Sequence, residues 1–297
     1  MGEIAALATS FCWSLTSIQF TLAGQRVGSG VVNRTRLVLA VLYLSLTHLL
    51  LYGEVWPIHA EPFRWGWLGL SGTLGLVLGD SCLFQAFLLI GTRRAMLFVT
   101  LTPIISTLVA WGWLGETLQP AEMGAVLLTV GGIAWVMLER QQEQEASVES
   151  KKQYALGVLL SLGGALAGAL GLVVAKQGLA GDFPSLSATL IRMVVATGVI
   201  WLLTLARGQA GVTWPALRDK KARLFIASGA LTGPFIGVWF SMVAVQRAHV
   251  GIASTLMSLS PIIVIPLAYW IFREQISPRA VAGTVVALVG AAIILLI

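Results

Sequence analysis

The sequence predicts an all-α integral membrane protein with ten transmembrane helices, arranged as two inverted five-helix repeats. Hydrophobic residues make up 57% of its 297 residues and charged residues only 11%, and the mean hydropathy is +0.86. Uncharged runs long enough to cross a bilayer recur along the whole chain. In addition, the segment 102–135 returns as 260–293 at a constant offset of 158 residues, which indicates a duplication.

Composition also limits the partners that this chain can have. Ordinary soluble domains carry about 25% charged residues, far more than are found here. The net charge of +6 could suggest nucleic acid, but the basic residues occur in short clusters between apolar runs, where they suit anionic lipid headgroups. We therefore expect the lipid bilayer as a partner and no nucleic acid. Cys12 and Cys82 lie inside apolar runs, and no motif predicts a metal site or a cofactor.

The spans follow from the uncharged runs, since a helix needs about 20 apolar residues to cross the hydrocarbon core. The first half is predicted to span near 4–23, 35–53, 65–89, 94–114 and 121–139, and the second near 154–178, 187–206, 223–246, 250–272 and 279–297. The charged stretch 140–153 joins repeats 1–139 and 154–297. Because five is odd, the second repeat enters from the other side, and such inverted repeats recur in secondary transporters.

Residues that shape helices coincide at the same offset in the two halves: Pro103 with Pro261, Glu116 with Glu274, and Pro120 with Pro278. Pro120 and Pro278 are predicted to start helices, where a missing N–H costs no hydrogen bond. Pro103 and Pro261 fall inside predicted spans, and they either shape a binding cavity and its gating or act only as structural kinks. Glu116 and Glu274 precede helix starts, which favours a capping role over proton coupling.

A stripe of small residues recurs every fourth position in spans three and eight. Gly75 and Gly79 correspond to Gly233 and Gly237, and Gly229 extends the stripe in the second half. This spacing predicts that another helix backbone approaches closely along each stripe.

Asp80 is a carboxylate deep in the apolar run 65–89, where it needs a partner or water rather than lipid. Its interpretation stays open between a structural ion pair with Arg36, Arg93 or Arg94 and a site for a substrate amine or a proton.

Two arginines occupy corresponding places in the two halves, Arg36 in RLVLA and Arg192 in RMVVA. Each is either a snorkelling anchor or an inward-facing group that binds an anion. Lys176 and Gln19 form another matched pair with the same two interpretations, and Gln85 and Trp13 are weaker candidates for the substrate site.

The order of these motifs resembles the EamA branch of the drug/metabolite transporter superfamily over nearly the whole chain. The resemblance rests on Thr102-Pro103, Gly115-Glu116 and Ser260-Pro261, with Glu274 and later glycines, and on the run GLVLGDSCLFQAFLLIGTRRA. It implies a ten-helix bundle that moves small metabolites by alternating access. The sequence departs from the family at Arg273, where glycine is usual.

These observations favour a plasma-membrane secondary transporter that exports a small metabolite such as an amino acid or a drug-like solute, with protons as a candidate coupling ion. The alternative is a non-transporting membrane protein, either an embedded enzyme or a structural subunit. Lysine and arginine concentrate on loops after odd-numbered spans, which predicts that these loops are cytoplasmic and that both termini lie outside. Members of the family that this chain resembles more often have the opposite orientation, with both termini inside.

Overall fold

The computed structural model describes residues 1–142, 151–263 and 278–296, and every regular element in these ranges is a helix. Seven helices are long and apolar enough to cross a membrane, and they match predicted spans two to eight: Ser29–Tyr52, Pro62–Ile90, Ala95–Leu114, Pro120–Leu138, Lys151–Gly178, Ser185–Ala206 and Lys220–Arg247. The chain is therefore a multi-pass helical membrane protein, since helices satisfy their own backbone groups in lipid.

The other three predicted spans correspond to one long and two shorter helices. Gly2–Val27 has 26 residues, while Val250–Ile263 and Val281–Leu296 are shorter apolar helices. The remainder of predicted span nine, with Glu274, lies outside the described residues.

We number the main helices in chain order: α1 Gly2–Val27, α2 Ser29–Tyr52, α3 Pro62–Ile90, α4 Thr92–Val99 with Thr102–Leu114, α5 Pro120–Gln142, α6 Lys151–Gly178, α7 Ser185–Ala206, α8 Lys220–Arg247, α9 beginning with Val250–Met257, and α10 Pro278–Leu296. A short helix without a number, Ala210–Ala216, lies between α7 and α8.

Helices α3 and α8 each contain a π-helical stretch, Thr73–Gly79 and Leu231–Gly237. The two stretches are separated by the same 158 residues as the sequence repeat. In a π turn each N–H pairs with the carbonyl five residues earlier, and such turns are rare and frequent at functional sites. Four of the five glycines in the predicted stripes lie in these stretches: Gly75, Gly79, Gly233 and Gly237.

Helices α4 and α9 are both interrupted just before their matched prolines. The chain leaves the helix at Thr100-Leu101 and again at Ser258-Leu259, and Pro103 and Pro261 are each the second residue of the segment that follows. The helices are therefore broken at the matched prolines, and a bend or a break is what a proline inside a predicted span indicates. Proline lacks an N–H and crowds the preceding turn, so the chain restarts the helix with proline in its first turn.

Five helix pairs join the two halves by extensive packing: α1 with α8, α2 with α7, α3 with α6, α4 with α9, and α5 with α10. Exchanging each helix for its repeat equivalent converts this set of pairs into itself. The interface between the halves is therefore the core of the molecule.

Repeat-equivalent helices α5 and α10 run antiparallel across this interface. A Cβ on Gly132 would lie 2.5 Å from the Ala287 nitrogen, and a Cβ on Gly290 would lie 2.7 Å from the Thr129 nitrogen. Rising residue numbers on α5 thus face falling numbers on α10. Glycine is needed at both positions because the two backbones touch there.

Candidate functional site

A cavity of about 400 Å³ lies on the interface between the two halves. Its deeper wall comes from the middle of several helices: Trp13, Gly75, Arg192, Gly233 and Ser254. Its other end reaches the end of α1, the start of α2 and the end of α3, at Gln25, Ser29 and Gly91. We call this side of the molecule the basic face, and it also holds loop 207–219, because Arg26 Nε donates to Asp219 at 2.8 Å.

Asp80 forms an ion pair with Arg36 in the cavity wall, and their side chains are 24% and 6% exposed. Arg36 Nη2 donates to Asp80 Oδ2, while Arg36 Nε donates to Asn33 Oδ1 at 2.9 Å. Arg36, one of the three arginines considered as ion-pair partners of Asp80 in the sequence analysis, is thus the residue that lies beside it. Charge-assisted hydrogen bonds of this kind fix both groups inside the bilayer.

Two aromatic rings, which contact each other edge to face, both pack against the Arg36 guanidinium. Its Cζ lies 4.9 Å from the centroid of Phe84 and 5.4 Å from that of Phe20. Both distances are within the roughly 6 Å range of cation–π attraction. Arg36 is therefore a buried cation with a carboxylate partner, an amide partner and two aromatic neighbours.

Arg192 also lines the cavity, with 3% exposure, and it packs against α3, the helix that carries Asp80. Its Nη1 donates to the sulfur of Met242 at 2.8 Å, and its Nε has no hydrogen-bond partner among the described residues. Thioether sulfur is a weak acceptor. Gly72 and Gly75 make room for this arrangement, since a Cβ on Gly72 would clash with the Arg192 carbonyl and one on Gly75 would lie 3.5 Å from Nη2.

The glycines of α8 let α1 pack directly on its π-helical stretch. Each leaves space for one side chain: Gly229 for Phe20, Gly233 for Thr16 and Gly237 for Trp13. In the equivalent pair, a Cβ on Gly79 of α3 would lie 3.4 Å from the nitrogen of Gly168 in α6. The stripes therefore bring Trp13 and Phe20 to the cavity wall, where both are found.

The break in α9 is held against α1 by two serine hydrogen bonds. Ser14 Oγ donates to the Ser260 carbonyl at 2.9 Å, and Ser260 Oγ donates to the Ser10 carbonyl at 2.8 Å. Pro261 follows directly and lines the cavity, whereas Pro103 is buried and is not part of the wall.

On the face opposite the basic face, the end of α6, the loop after α4 and the junction of α8 with α9 contact one another. Lys176 Nζ donates to the Ala248 carbonyl at 2.6 Å and lies 2.8 Å from Glu116 Oε1. Glu116 Oε2 accepts from the backbone nitrogen of Val250 at 2.7 Å. We call Lys176, Glu116, Ala248 and Val250 the latch.

Glu116 accepts a backbone N–H at a helix start, but the helix is α9 and not the one at Pro120 that the sequence suggested. The loop 115–119 carries the carboxylate across to the other half, and Glu122 instead accepts from the Gln119 nitrogen at 2.6 Å. Pro120 and Pro278 are the first residues of α5 and α10.

The remaining candidates do not line the cavity. Gln19 Oε1 accepts from Thr232 Oγ1 at 3.0 Å, and Gln85 is exposed and accepts from Ser29 Oγ at 3.4 Å. Lys176 belongs to the latch. The residues that the structure brings together at the cavity are Asp80, Arg36, Arg192 and Trp13.

Sequence reasoning missed three residues that position these charges, namely Asn33, Phe84 and Met242. Asn33 precedes Arg36 by three residues, and that spacing places both on one helix face. This signal could have identified Asn33. Phe84 and Met242 are ordinary apolar residues in their helices, and no sequence pattern marks them.

Comparisons with known proteins agree with this architecture. A solved crystal structure superposes with a TM-score of 0.78 at 16% identity, covering 98% of this chain and 95% of its own, a likeness that shows a shared fold alone. No curated protein matches the chain significantly. The model of the EamA-like transporter family matches residues 1–138 and 155–296, which is nearly the whole sequence in two parts. The chain therefore belongs to the EamA-like transporter family.

Proposed function

We propose that this protein is a secondary transporter that carries a small metabolite across the plasma membrane by alternating access. The single observation that carries the proposal is the cavity on the interface between the halves, with Arg36, Asp80 and Arg192 in its wall. Ionisable groups at this depth are costly in a bilayer and mark substrate or ion pathways. Substrate sites of such transporters lie at the repeat interface.

We further propose ten transmembrane helices in two inverted repeats, 1–139 and 154–297. Support comes from the matched π-helical stretches, the matched helix breaks and the antiparallel contact of α5 with α10. A pair of equivalent helices that pack antiparallel is what inverted topology requires. Binding and release then occur as one half rocks against the other.

The two faces of the molecule differ in a way that suits one state of this cycle. The cavity extends toward the basic face, whereas the latch ties the opposite face together. If the basic face is cytoplasmic, the cavity loads from the cytoplasm, and the cycle exports its substrate.

Sided thiol labelling tests alternating access without a known substrate. In a protein with Cys12 and Cys82 replaced by alanine, Ser17→Cys places a thiol in the cavity wall. A membrane-impermeant maleimide should label it from the basic face and, more slowly, from the opposite face. Leu202→Cys, whose parent side chain is 68% exposed on α7, is the lipid-facing control and should react from neither side.

Labelling of Ser17→Cys from one face only, under all conditions, would contradict a transport cycle. It would instead support a non-transporting membrane protein. Flux in proteoliposomes preloaded with amino acids, organic anions and organic cations then identifies what moves.

A further inference from the structure

The described residues balance the charge of Arg192 only in part, because Asp80 attracts it electrostatically but forms its ion pair with Arg36. The Arg192 side chain is almost fully buried, and no described carboxylate lies within 4.0 Å of its guanidinium. Its Nη1 donates to the sulfur of Met242, and its Nε has no hydrogen-bond partner among the described residues. Burying a charge without a partner costs several kcal/mol, so an anionic ligand at this position would be stabilised strongly.

The other charges in the cavity wall cannot supply that anion. The Asp80 carboxylate already accepts from Arg36, and Arg36 also donates to Asn33. Two guanidinium groups against one carboxylate leave the described part of the cavity with a net charge of +1. The complement to this charge is a single negative charge.

The rest of the cavity wall suits an apolar body. Aromatic and aliphatic side chains surround the charged groups: Trp13, Phe20, Phe84, Phe87, Leu172 and Val238. Ten serine and threonine residues also line this space, among them Thr16, Ser17 and Ser241, and their hydroxyl groups can orient a bound solute. A volume of about 400 Å³ falls within the range of about 300–1,000 Å³ typical of small-molecule sites, which are mostly apolar with a few orienting polar groups.

We propose that the cavity binds an organic monoanion, with a carboxylate on the Arg192 guanidinium and an aromatic or aliphatic body among Trp13, Phe84 and Phe87. This inference rests on the proposed transport function, because it names the class of solute that the same cavity carries. A planar guanidinium matches a carboxylate through two parallel hydrogen bonds. A phosphate monoester carries a charge of about −1.5 to −2 at neutral pH, which would overcompensate the cavity.

Four probes with a common phenylalkyl body separate these chemistries: 4-phenylbutyrate, 4-phenylbutyramide, 4-phenylbutylamine and 3-phenylpropyl phosphate. Thermal unfolding of the purified protein in detergent, titrated with each probe, gives apparent affinities. We expect 4-phenylbutyrate to raise the melting temperature and to bind about 10- to 100-fold more tightly than the amide, the gain expected from a charged hydrogen-bonded pair. Stronger binding of the amine, the amide or the phosphate, or no binding of 4-phenylbutyrate, would overturn the monocarboxylate assignment.

Variants at Arg192 assign the effect to one group. Arg192→Met should abolish stabilisation by 4-phenylbutyrate and leave the melting temperature of the free protein unchanged or higher, because an unpaired buried charge is removed. Arg192→Lys keeps the charge and should retain part of the affinity, and the surface variant Arg218→Gln should bind as the parent does. Retention of full 4-phenylbutyrate affinity by Arg192→Met would also refute the proposal.

The outcome is separable from that of the transport proposal. Two-sided labelling of Ser17→Cys together with binding of the amine or the amide would leave a transporter of another solute class. One-sided labelling together with Arg192-dependent binding of 4-phenylbutyrate would leave an anion site in a protein that does not transport.

Discussion

Two arginines at corresponding places in the halves have opposite electrostatic situations. Arg36 is paired with Asp80 and packs against Phe20 and Phe84, whereas Arg192 has only a thioether acceptor among the described residues. Removal of Arg36 and removal of Arg192 should therefore change the stability of the protein in opposite directions. Removal of Arg36 leaves a carboxylate unpaired, whereas removal of Arg192 eliminates a buried charge.

We expect Arg36→Gln to destabilise the protein by about 3 kcal/mol, the lower end of the range for breaking a buried ion pair, because Asp80 is partly exposed. The double variant Arg36→Gln with Asp80→Asn should lose less than the sum of the two single variants, by about 1–3 kcal/mol. Unfolding in denaturing detergent measures these differences. Strict additivity would mean that the pair contributes nothing.

The sequence could identify Asp80 because it is a lone carboxylate in a long apolar run. It could not select the partner, since Arg36, Arg93 and Arg94 were all available and only the fold decides which approaches. The burial of Arg192 was also beyond sequence reasoning, because it depends on Gly72 and Gly75 of a helix more than 100 positions away.

At the scale of the elements, α5 and α10 provide a matched test of close packing. Gly131 and Gly132 are neighbours, yet a Cβ on Gly131 meets nothing within 4 Å while one on Gly132 would lie 2.5 Å from the Ala287 nitrogen. Gly132→Ala should destabilise by about 1–3 kcal/mol through overpacking. Gly131→Ala should be neutral or stabilising by up to about 1 kcal/mol through helix propensity. Equal melting temperatures for the two variants would exclude this helix contact.

Asp219, the residue before α8, predicts that the stability of the protein depends on pH. The backbone N–H of Ala222 and the guanidinium of Arg26 hold the pKa of Asp219 below its ordinary value. A carboxylate with a lowered native pKa stabilises the protein above its unfolded pKa, and this contribution is lost as the pH falls through the native pKa.

We therefore expect Asp219→Asn to lower the melting temperature at pH 7 and to match the parent at a pH below the native pKa of Asp219. Asp182→Asn, in the exposed loop after α6, is the control and should change little at either pH. A deficit of Asp219→Asn that is the same at both pH values would contradict a role for the charge.

The latch predicts a shift in conformational population. Glu116→Gln weakens the contact with Lys176 while keeping the hydrogen-bond acceptor for Val250. We expect faster labelling of Ser17→Cys from the opposite face, since fewer interactions oppose opening there. Glu122→Gln, which changes a carboxylate in the first turn of α5 outside the latch, should leave this rate unchanged. Identical labelling rates in both variants would mean that the latch contacts do not oppose opening of this face.

Element positions were more predictable than their interruptions. Seven predicted spans have matching helices because about 20 apolar residues leave few alternatives in a bilayer. Pro103 and Pro261 indicate the helix breaks, but the π-helical stretches and the serine pair that joins Ser260 to α1 are features of the tertiary packing. Sequence periodicity carries no record of these contacts.

At the scale of the whole molecule, the fold joins the two halves helix by helix, so orientation is a property of the entire bundle. The contact of Arg26 with Asp219 brings the loops after α1 and α7 to one face. Inverted repeats pack in the same way whichever side faces the cytoplasm. The distribution of positive charge must therefore set the orientation.

Loops after odd-numbered spans carry 14 lysine and arginine residues against two after even-numbered spans, with Arg36, Lys176 and Arg192 set aside because they lie within spans. Because basic loops remain in the cytoplasm, we expect the basic face to be cytoplasmic and both termini to lie outside. Alkaline phosphatase fused after Ile297 should be active, since it folds only outside, and a fluorescent protein at the same place should stay dark. A fluorescent protein fused after Gln142, at the start of the charged stretch 140–153, is the opposite control and should fluoresce. Fluorescence from the fusion at Ile297 would reverse the orientation, and the cavity would then open to the outside in the state described here.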